Sequence, residues 1–387
     1  MVQHIQLKDI CDVLNGYAFK SSKYVDEGIR VIRITNVQKG YIEDDAPQYY
    51  PLESQKEIEK YLLCEDDLLM SLTGNVGRVA ILKKEMLPAA LNQRVACLRL
   101  KKSANVYKPY LFHLLNSDFF ENQCIFSAQG IAQKNMSTEW LKEYQIPLYS
   151  IEKQKAIADL FDQIDALIED RKEQKCKLDE LVKSRFIELF GSEQEFARWP
   201  CCTIGDVAEV CVGVVIKPTQ YYTDDGIPAF RSLNIGEMKV KDNDWVYFTK
   251  EGHKKNQKSV VRTNDVLVVR SGAPGTACVA TEKYNGYNAV DIIIAHPDQD
   301  KVNSVFLAAF TNMPHGMNQI KGGTGGAAQQ HFNVGGYKAM TLIMPPMELQ
   351  QQFAAFIAEV DKSKLAVQQG LQELETLKKS LMQQYFG

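Results

Sequence analysis

Two stretches of this chain, Ile151 to Gly191 and Glu348 to Gly387, carry one helical pattern twice, and any fold must accommodate both copies. In the first, Ile157, Leu160, Ile164 and Leu167 step by three and four residues, and the stripe resumes at Leu178 and Leu181. That spacing is a narrow heptad seam, suited to one partner helix. Charged residues from Asp159 to Lys175 crowd the remaining faces, which belong in water. Arg171 and Gln174 interrupt the seam, where polar residues fix register at some cost in stability. The second seam runs through Phe353, Phe356, Val360, Val367, Leu374, Leu377 and Leu381, with Ser363 and Gly370 as its weak points. Outside the seam the copies also agree: Glu152, Gln154, Ala158, Asp165, Lys183 and Phe190 correspond to Glu348, Gln350, Ala354, Asp361, Lys379 and Phe386. Each copy follows a proline turn, at Pro147 or Pro345, and each closes on Phe-Gly, which is ordinary helix punctuation.

The longer segments before the helices repeat as well. Residues 29–37 align with 227–235, each a short apolar strand ending in Arg and then Asn, at Arg33 and Asn36 or Arg231 and Asn234. Residues 67–77 align with 265–275, a buried-strand pattern running into a two-glycine loop. Residues 130–136 align with 326–332. Matched blocks in the same order imply tandem duplication of a globular domain plus a helix, with a period far above that of solenoid repeats. The expected domains are 1–150, 151–191, 192–346 and 347–387. The fold class follows: α+β, two mixed α/β globular domains separated by two long helices that pair as an antiparallel coiled coil, with pseudo-two-fold symmetry. A helix of about 35 residues is roughly 50 Å long. Such a rod holds two reading heads apart, as dimeric DNA binders set half-site spacing. Between matched blocks the halves diverge, so the two sites are of one kind with different specificities, and the expected target is bipartite and asymmetric.

Several chemistries are excluded by what is missing. No Gly-x-x-x-x-Gly-Lys-Ser/Thr phosphate loop is present, and Gly74-x-x-Gly77 lacks the rest of a dinucleotide fingerprint. The nine cysteines are scattered without a Cys-x-x-Cys, and the six histidines show no metal-ligand spacing. No apolar run spans a bilayer and the N-terminus lacks a signal pattern, so no membrane partner and a cytoplasmic location are expected. The formal net charge of −3 counts against holding nucleic acid unaided, which shifts attention to local charge. Residues 78–102 are basic, with Lys83, Lys84, Arg94, Arg99, Lys101 and Lys102, and Lys250, Lys254, Lys255, Lys258 and Arg262 form a second run. A basic stripe in each repeat is the footprint of phosphate binding, although a solvated face is the commoner fate of any one lysine.

The two-glycine loops are the best contact candidates, because glycine lets backbone N–H groups approach a phosphate or base edge. A tight turn between strands is the competing reading. In the first half the candidates for DNA contact are Arg33, Asn36, Ser71, Thr73, Gly74, Asn75, Gly77, Arg78, Gln93, Arg94, Gln133, Lys134 and Asn135. In the second they are Arg231, Asn234, Arg270, Ser271, Gly272, Gly275, Thr276, Gln329, Gln330 and His331. Arg and Lys suit phosphates, while Asn, Gln and His read base edges. No catalytic residue and no metal ligand is assigned.

Two variable halves, each closed by a long helix that contains Glu-x-Gln-x-x-Ile/Phe-Ala and ends near Ser-x-x-x-x-x-Phe-Gly, resemble the DNA-specificity subunit of type I restriction-modification systems. The strongest points are residues 146–167, their repeat near Pro345, and the strand running into residues 71–77. The resemblance implies two target-recognition domains reading a split site in double-stranded DNA. It implies helices that act as spacer and as docking surface for two modification subunits, with a restriction (helicase-nuclease) subunit joining the complex. The chain itself would be a non-catalytic subunit holding no cofactor. Adenine-N6 methylation with S-adenosylmethionine, and cleavage with ATP and Mg2+, would belong to those partners. The absence here of an Asn-Pro-Pro-Phe/Tyr motif agrees with that division. In the second half Ser271-Gly272-Ala273-Pro274-Gly275 replaces Thr73-Gly74-Asn75-Val76-Gly77, a departure at the contact loop. A coiled-coil scaffold with protein- or peptide-binding domains is the alternative, and a stand-alone methyltransferase or nuclease is a third.

Overall fold

The computed structural model describes residues 3–128, 136–323 and 332–387. The chain divides into one unit of residues 1–173 with 368–387, and a second of residues 174–367.

In the first unit the strand Gln3–Gln6 pairs antiparallel with Gln145–Leu148, closing the domain just ahead of the long helix. Its main sheet is antiparallel, in the order Cys11–Asn15, Val95–Leu100, Leu68–Ser71, Val79–Ile81. A smaller mixed sheet, Tyr49–Tyr50, Ile29–Ile32, Ala89–Leu91, has its last pair parallel. The run Leu68–Ser71 is buried throughout because it is covered on both faces. Successive side chains point to opposite sides of a strand. Leu68 and Met70 therefore join the core with Tyr110, Leu111 and Leu114, while Leu69 and Cys97 meet Ile32, Ala89 and Leu91 of the smaller sheet.

The second unit repeats this plan. Cys201–Thr203 pairs with Thr341–Ile343, and the main sheet runs Ala208–Val212, Ile292–Pro297, Val266–Val269, Ala277–Val279. Its mixed sheet gains a strand: Tyr222–Thr223, Val246–Phe248, Ile227–Phe230, Asn288–Ala289, again with the last pair parallel. Val266 and Val268 face the helices, and Leu267 and Val269 face the second sheet side. The fold is α+β, with two mixed-sheet domains and two long helices.

Those helices, Ile151–Phe190 and Met347–Phe386, have 40 residues each. Within the first unit Phe161 stacks on Phe386 with centroids 5.4 Å apart, and Asp165 pairs with Lys378. Within the second, Phe353 lies 5.5 Å from both Phe186 and Phe190, and Lys364 meets Asp179 at 2.6 Å. Numbers rise on one helix as they fall on the other, so the packing is antiparallel in each unit. The seam itself needs a correction. Ile157, Phe161, Ile164 and Ile168 are buried, as are Val182, Phe186, Phe353, Ile357, Val360 and Leu371. Leu167, Leu181 and Leu377, expected inside, are 48%, 45% and 48% exposed. Adjacent residues on a helix lie about 100° apart, so a stripe through Leu167 instead of Ile168 faces outward. Leu160, Leu178, Phe356, Val367, Leu374 and Leu381 are half-buried along the margin.

The repeated Glu-x-Gln has a structural reason. Gln154 is fully buried, accepts from Tyr107 N–H at 2.7 Å and donates to the carbonyls of Tyr149 and Asn105. Gln350 likewise accepts from Asn303 N–H at 2.9 Å and donates to the Pro345 carbonyl at 2.9 Å. One amide in each unit thus ties the start of the long helix to the domain before it.

Candidate nucleic-acid interface

At one end of the first unit's main sheet, strand Leu68–Ser71 enters the two-glycine loop and returns at Arg78. Ser71 is buried and fastens this loop: its N–H donates to the Arg78 carbonyl at 3.0 Å, its hydroxyl to the Asn75 carbonyl, and Gly77 N–H donates to its carbonyl at 3.0 Å. Both glycines have positive φ, 68° at Gly74 and 87° at Gly77, yet their surroundings differ. A Cβ on Gly74 would meet only Ile34 Cδ1 at 3.9 Å, whereas one on Gly77 would lie 2.9 Å from Cys124 Cβ. Gly74 forms the open tip and Gly77 seats the loop on helix Asp118–Ser127. The second unit makes the same division, with Gly272 open and Gly275 pressed against Ile320 and Met317.

The paired Arg and Asn positions buttress the neighbouring turn. Asn36 Oδ1 accepts from Arg33 N–H at 2.9 Å and its Nδ2 donates to the Glu43 carbonyl at 2.9 Å. Asn234 accepts from Arg231 N–H at 2.9 Å and donates to the Asn243 carbonyl at 2.6 Å. Both amides are buried and engaged within their own turn. Arg33 donates to the Ala46 carbonyl at 3.0 Å, Arg231 to that of Asp244, and Arg78 to Gln38. Thr73 is half-buried, and Gly74, Asn75, Gln93 and Arg94 are exposed on the same end, where Leu72 N–H donates to the Arg94 carbonyl at 3.0 Å. In the second unit Ser271 is half-buried and Gly272 exposed, and the Thr276 hydroxyl donates to the Ala273 carbonyl at 3.0 Å. Arg270 is held inward by Asp291 Oδ1 at 2.5 Å and by the Phe332 carbonyl at 3.1 Å. Gln133, Lys134, Asn135, Gln329, Gln330 and His331 lie outside the described residues. Met136 N–H donates to the Leu72 carbonyl at 2.9 Å and Phe332 N–H to the Arg270 carbonyl at 3.0 Å, so each lies beside its loop.

Sequence reasoning missed Gly16 and Gly213. A Cβ on Gly16 would lie 2.1 Å from the Asn92 carbonyl oxygen, and one on Gly213 would lie 2.5 Å from that of Ala289. The sequence does carry a signal, since each glycine closes a short apolar run at the corresponding place of its half, after Val13-Leu14 or Val210-Cys211-Val212.

The basic run of residues 78–102 does not stay together. Ser71 pairs with Val95 at the loop end, while Leu68 pairs with Ile81 and Cys11 with Leu100 at the other. Arg78 and Arg94 therefore share an end with the loop, and Lys83, Lys84, Lys101 and Lys102 fall at the opposite end. There Asp67 takes Arg99 in a two-pronged bond, Nε to Oδ1 at 2.9 Å and Nη2 to Oδ2 at 2.6 Å. The equivalent Asp265 instead accepts from His296 Nδ1 at 2.6 Å, with Cys211 Sγ 3.7 Å from Nε2. This carboxylate, helped by the sulfur, raises the imidazole's pKa to about 9. Helix Lys250–Lys255 begins just after Phe248, which pairs with Ile227 at the start of its strand, away from the turn at Arg231. Among the described residues no three His, Cys, Asp or Glu side chains group as metal ligands, and no helix is long and apolar enough to cross a membrane.

One strand order used twice, with unlike residues at the loop ends, defines a protein of two related sheet domains. Residues 2–178 and 198–376 match the family described as Type I restriction modification DNA specificity domain, and the chain belongs to that family. It is 22% identical to the type I restriction enzyme EcoBI specificity subunit of Escherichia coli, over 99% of this chain and 85% of that one. It is 30% identical to the MjaVIII specificity subunit of Methanocaldococcus jannaschii, over 46% of this chain and 43% of that one. The fold resembles the crystal structure of a type I restriction-modification S subunit from M. genitalium, with a TM-score of 0.54 at 14% identity, covering 100% of this chain and 96% of that one. A chain from a structural study of type I complex assembly and conformational transition gives a TM-score of 0.60 at 16% identity, covering 99% and 97%. At these identities the structural likeness speaks for the fold alone.

Proposed function

We propose that each unit reads one part of a split, asymmetric sequence in double-stranded DNA, using the sheet end that carries residues 72–78 or 270–276. The observation that carries this reading is the contrast between shared strand order and unlike loop chemistry. Leu72 and exposed Arg94 stand in the first unit where inward-held Arg270 and Asp291 stand in the second. Two scaffolds that differ where they meet a ligand suit two unlike half-sites. Thr73, Gly74, Asn75, Arg78, Gln93 and Arg94 make direct contacts in the first unit, and Ser271, Gly272 and Thr276 in the second. Ser71, Gly77, Gly275 and Arg270 hold those loops in place, and Asn36 and Asn234 hold the neighbouring turns.

Residues 1–150 and 192–346 serve as target-recognition domains, with 151–191 and 347–387 as spacer helices. Two modification subunits dock on the helices, whose outward Leu167, Leu181, Ile187, Leu365 and Leu377 leave apolar surface uncovered. A restriction subunit joins them. S-adenosylmethionine, ATP and Mg2+ act on those chains, and this chain contributes the choice of sequence.

Binding to duplex DNA by the complex with its modification subunits tests the reading. Log K falls linearly with log salt, with a slope of about −0.9 per phosphate contacted. Arg94→Ala lowers that slope by about one. Affinity indifferent to salt between about 50 and 200 mM contradicts the assignment.

A further inference from the structure

The loop end of the second unit exposes three large apolar side chains on adjoining chain segments. Val214 N–H donates to the Ala289 carbonyl at 2.8 Å, Asp291 N–H to the Val214 carbonyl at 3.2 Å, and Val290 N–H to the Phe230 carbonyl at 2.8 Å. Val214 bridges Val290 in parallel, and Phe230 pairs with Ala289 in parallel. The segments that follow Val214, Phe230 and Ala289 therefore leave the sheet side by side and in one direction. Val269 pairs with Ile292, which brings Arg270 and its two-glycine loop to the same edge. Two residues past Val214 stands Ile216, 79% exposed beside Val215 at 48%, and three past Phe230 stands Leu233 at 62%. The first of these is set in a built turn, with Lys217 left-handed at φ 46° and Pro218 next.

Single exposed apolar side chains are ordinary, but several at one edge mark a surface that is covered in use. The first unit does not repeat this cluster at the aligned places. Ala18, Phe19 and Thr35 occupy the aligned places, and Phe19 is packed among aromatics, 5.0 Å from Tyr17 and 4.9 Å from Tyr50. At the edge of a base pair in the major groove the one apolar group is the thymine C5 methyl.

Given a second unit that reads DNA by this edge, we propose that Val215, Ile216 and Leu233 select A·T pairs in its half-site by covering thymine methyl groups in the major groove. Polar donors and acceptors favour any base with a matching pattern, whereas an apolar cover favours thymine over cytosine and over uracil, which lacks the methyl. The first unit has none of these three side chains, so its half-site is read without this apolar cover.

The test uses the complex with its modification subunits and a duplex carrying the target mapped by methylation. Thymidines are replaced by deoxyuridine in one half-site at a time. Each methyl lost weakens binding about fourfold, the effect of roughly one buried methylene, in one half only. An I216N/L233S double variant binds the thymidine duplex more weakly and no longer responds to deoxyuridine in that half. Both side chains are exposed, and an unchanged melting profile confirms that the variant is folded. Tight, salt-sensitive binding with no response to deoxyuridine in either half overturns this inference and leaves DNA reading intact. A response that persists unchanged in the double variant overturns it equally, as does a second half-site without an A·T pair. Absence of salt-sensitive duplex binding removes the DNA reading itself.

Discussion

Asp67 and Asp265 stand at the same place, just before the same central strand, and each carboxylate also accepts a backbone N–H, from Cys64 or Arg262. The first is gripped by Arg99 and the second by His296. The duplication preserved the requirement for a cation beside a buried carboxylate, because an unpaired buried charge is costly. It did not preserve which cation. The loop ends differ in the same manner, with Arg94 outward in one unit and Asp291 turned to Arg270 in the other. The two units share the strand order that keeps a sheet folded, and they differ in side chains at both ends of it, including the loop end proposed to meet DNA.

The largest effect is expected from separating the two glycines of one loop. Both adopt positive φ, which costs an alanine about 1–2 kcal/mol. Only Gly77 is also crowded, so Gly77→Ala adds overpacking of about 1–3 kcal/mol. Hydrogen exchange of the first unit is expected to show Gly77→Ala destabilising strongly and Gly74→Ala mildly, with the DNA-binding loss per unit of stability larger for Gly74→Ala. Equal destabilisation by both erases the distinction between tip and seat.

The buried amides come next. Gln154→Ala and Gln350→Ala each leave backbone groups unpaired, at a cost of about 1–3 kcal/mol. The cost is expected to be alike in the two units when measured by urea unfolding. A large loss for one and none for the other breaks the equivalence of the two junctions.

The paired aspartates give a smaller, pH-dependent difference. His296 is raised from its ordinary 6.5 to about 9, so its contribution is complete below about 6.5 and is lost as pH rises through about 9. Arg99 stays charged across that window. Protection of the second unit is therefore expected to fall relative to the first between about pH 7 and 9.5, by an amount on the order of 1–2 kcal/mol after solvent screening. His296→Arg is expected to flatten the profile. A second unit as indifferent to pH as the first contradicts the pairing.

Much of this architecture was legible in the residues. The repeated blocks announced the duplication, and the punctuated heptads announced the long helices. The seam was misplaced where Leu167 and Ile168 stand side by side, because hydropathy ranks both as inward and only packing against Leu371 and Leu374 separates them. Asn36 and Asn234 stood out as a matched pair, yet an amide that reads a base and one that holds a turn use the same atoms. The basic run of residues 78–102 looked like one stripe because composition does not reveal where a hairpin reverses. Antiparallel return from Val79–Ile81 carries its lysines to the far end of the sheet. The apolar edge at Ile216 and Leu233 was invisible for a related reason, since it is assembled from segments that meet only through parallel pairing.

The methylation pattern set by the complex tests reading by two unlike heads most directly. Sequencing modified adenines in DNA treated with this chain and its modification subunits is expected to return one motif of two unlike halves separated by a run of unspecified bases. A contiguous motif, or a palindrome with identical halves, contradicts two divergent heads reading two different sequences.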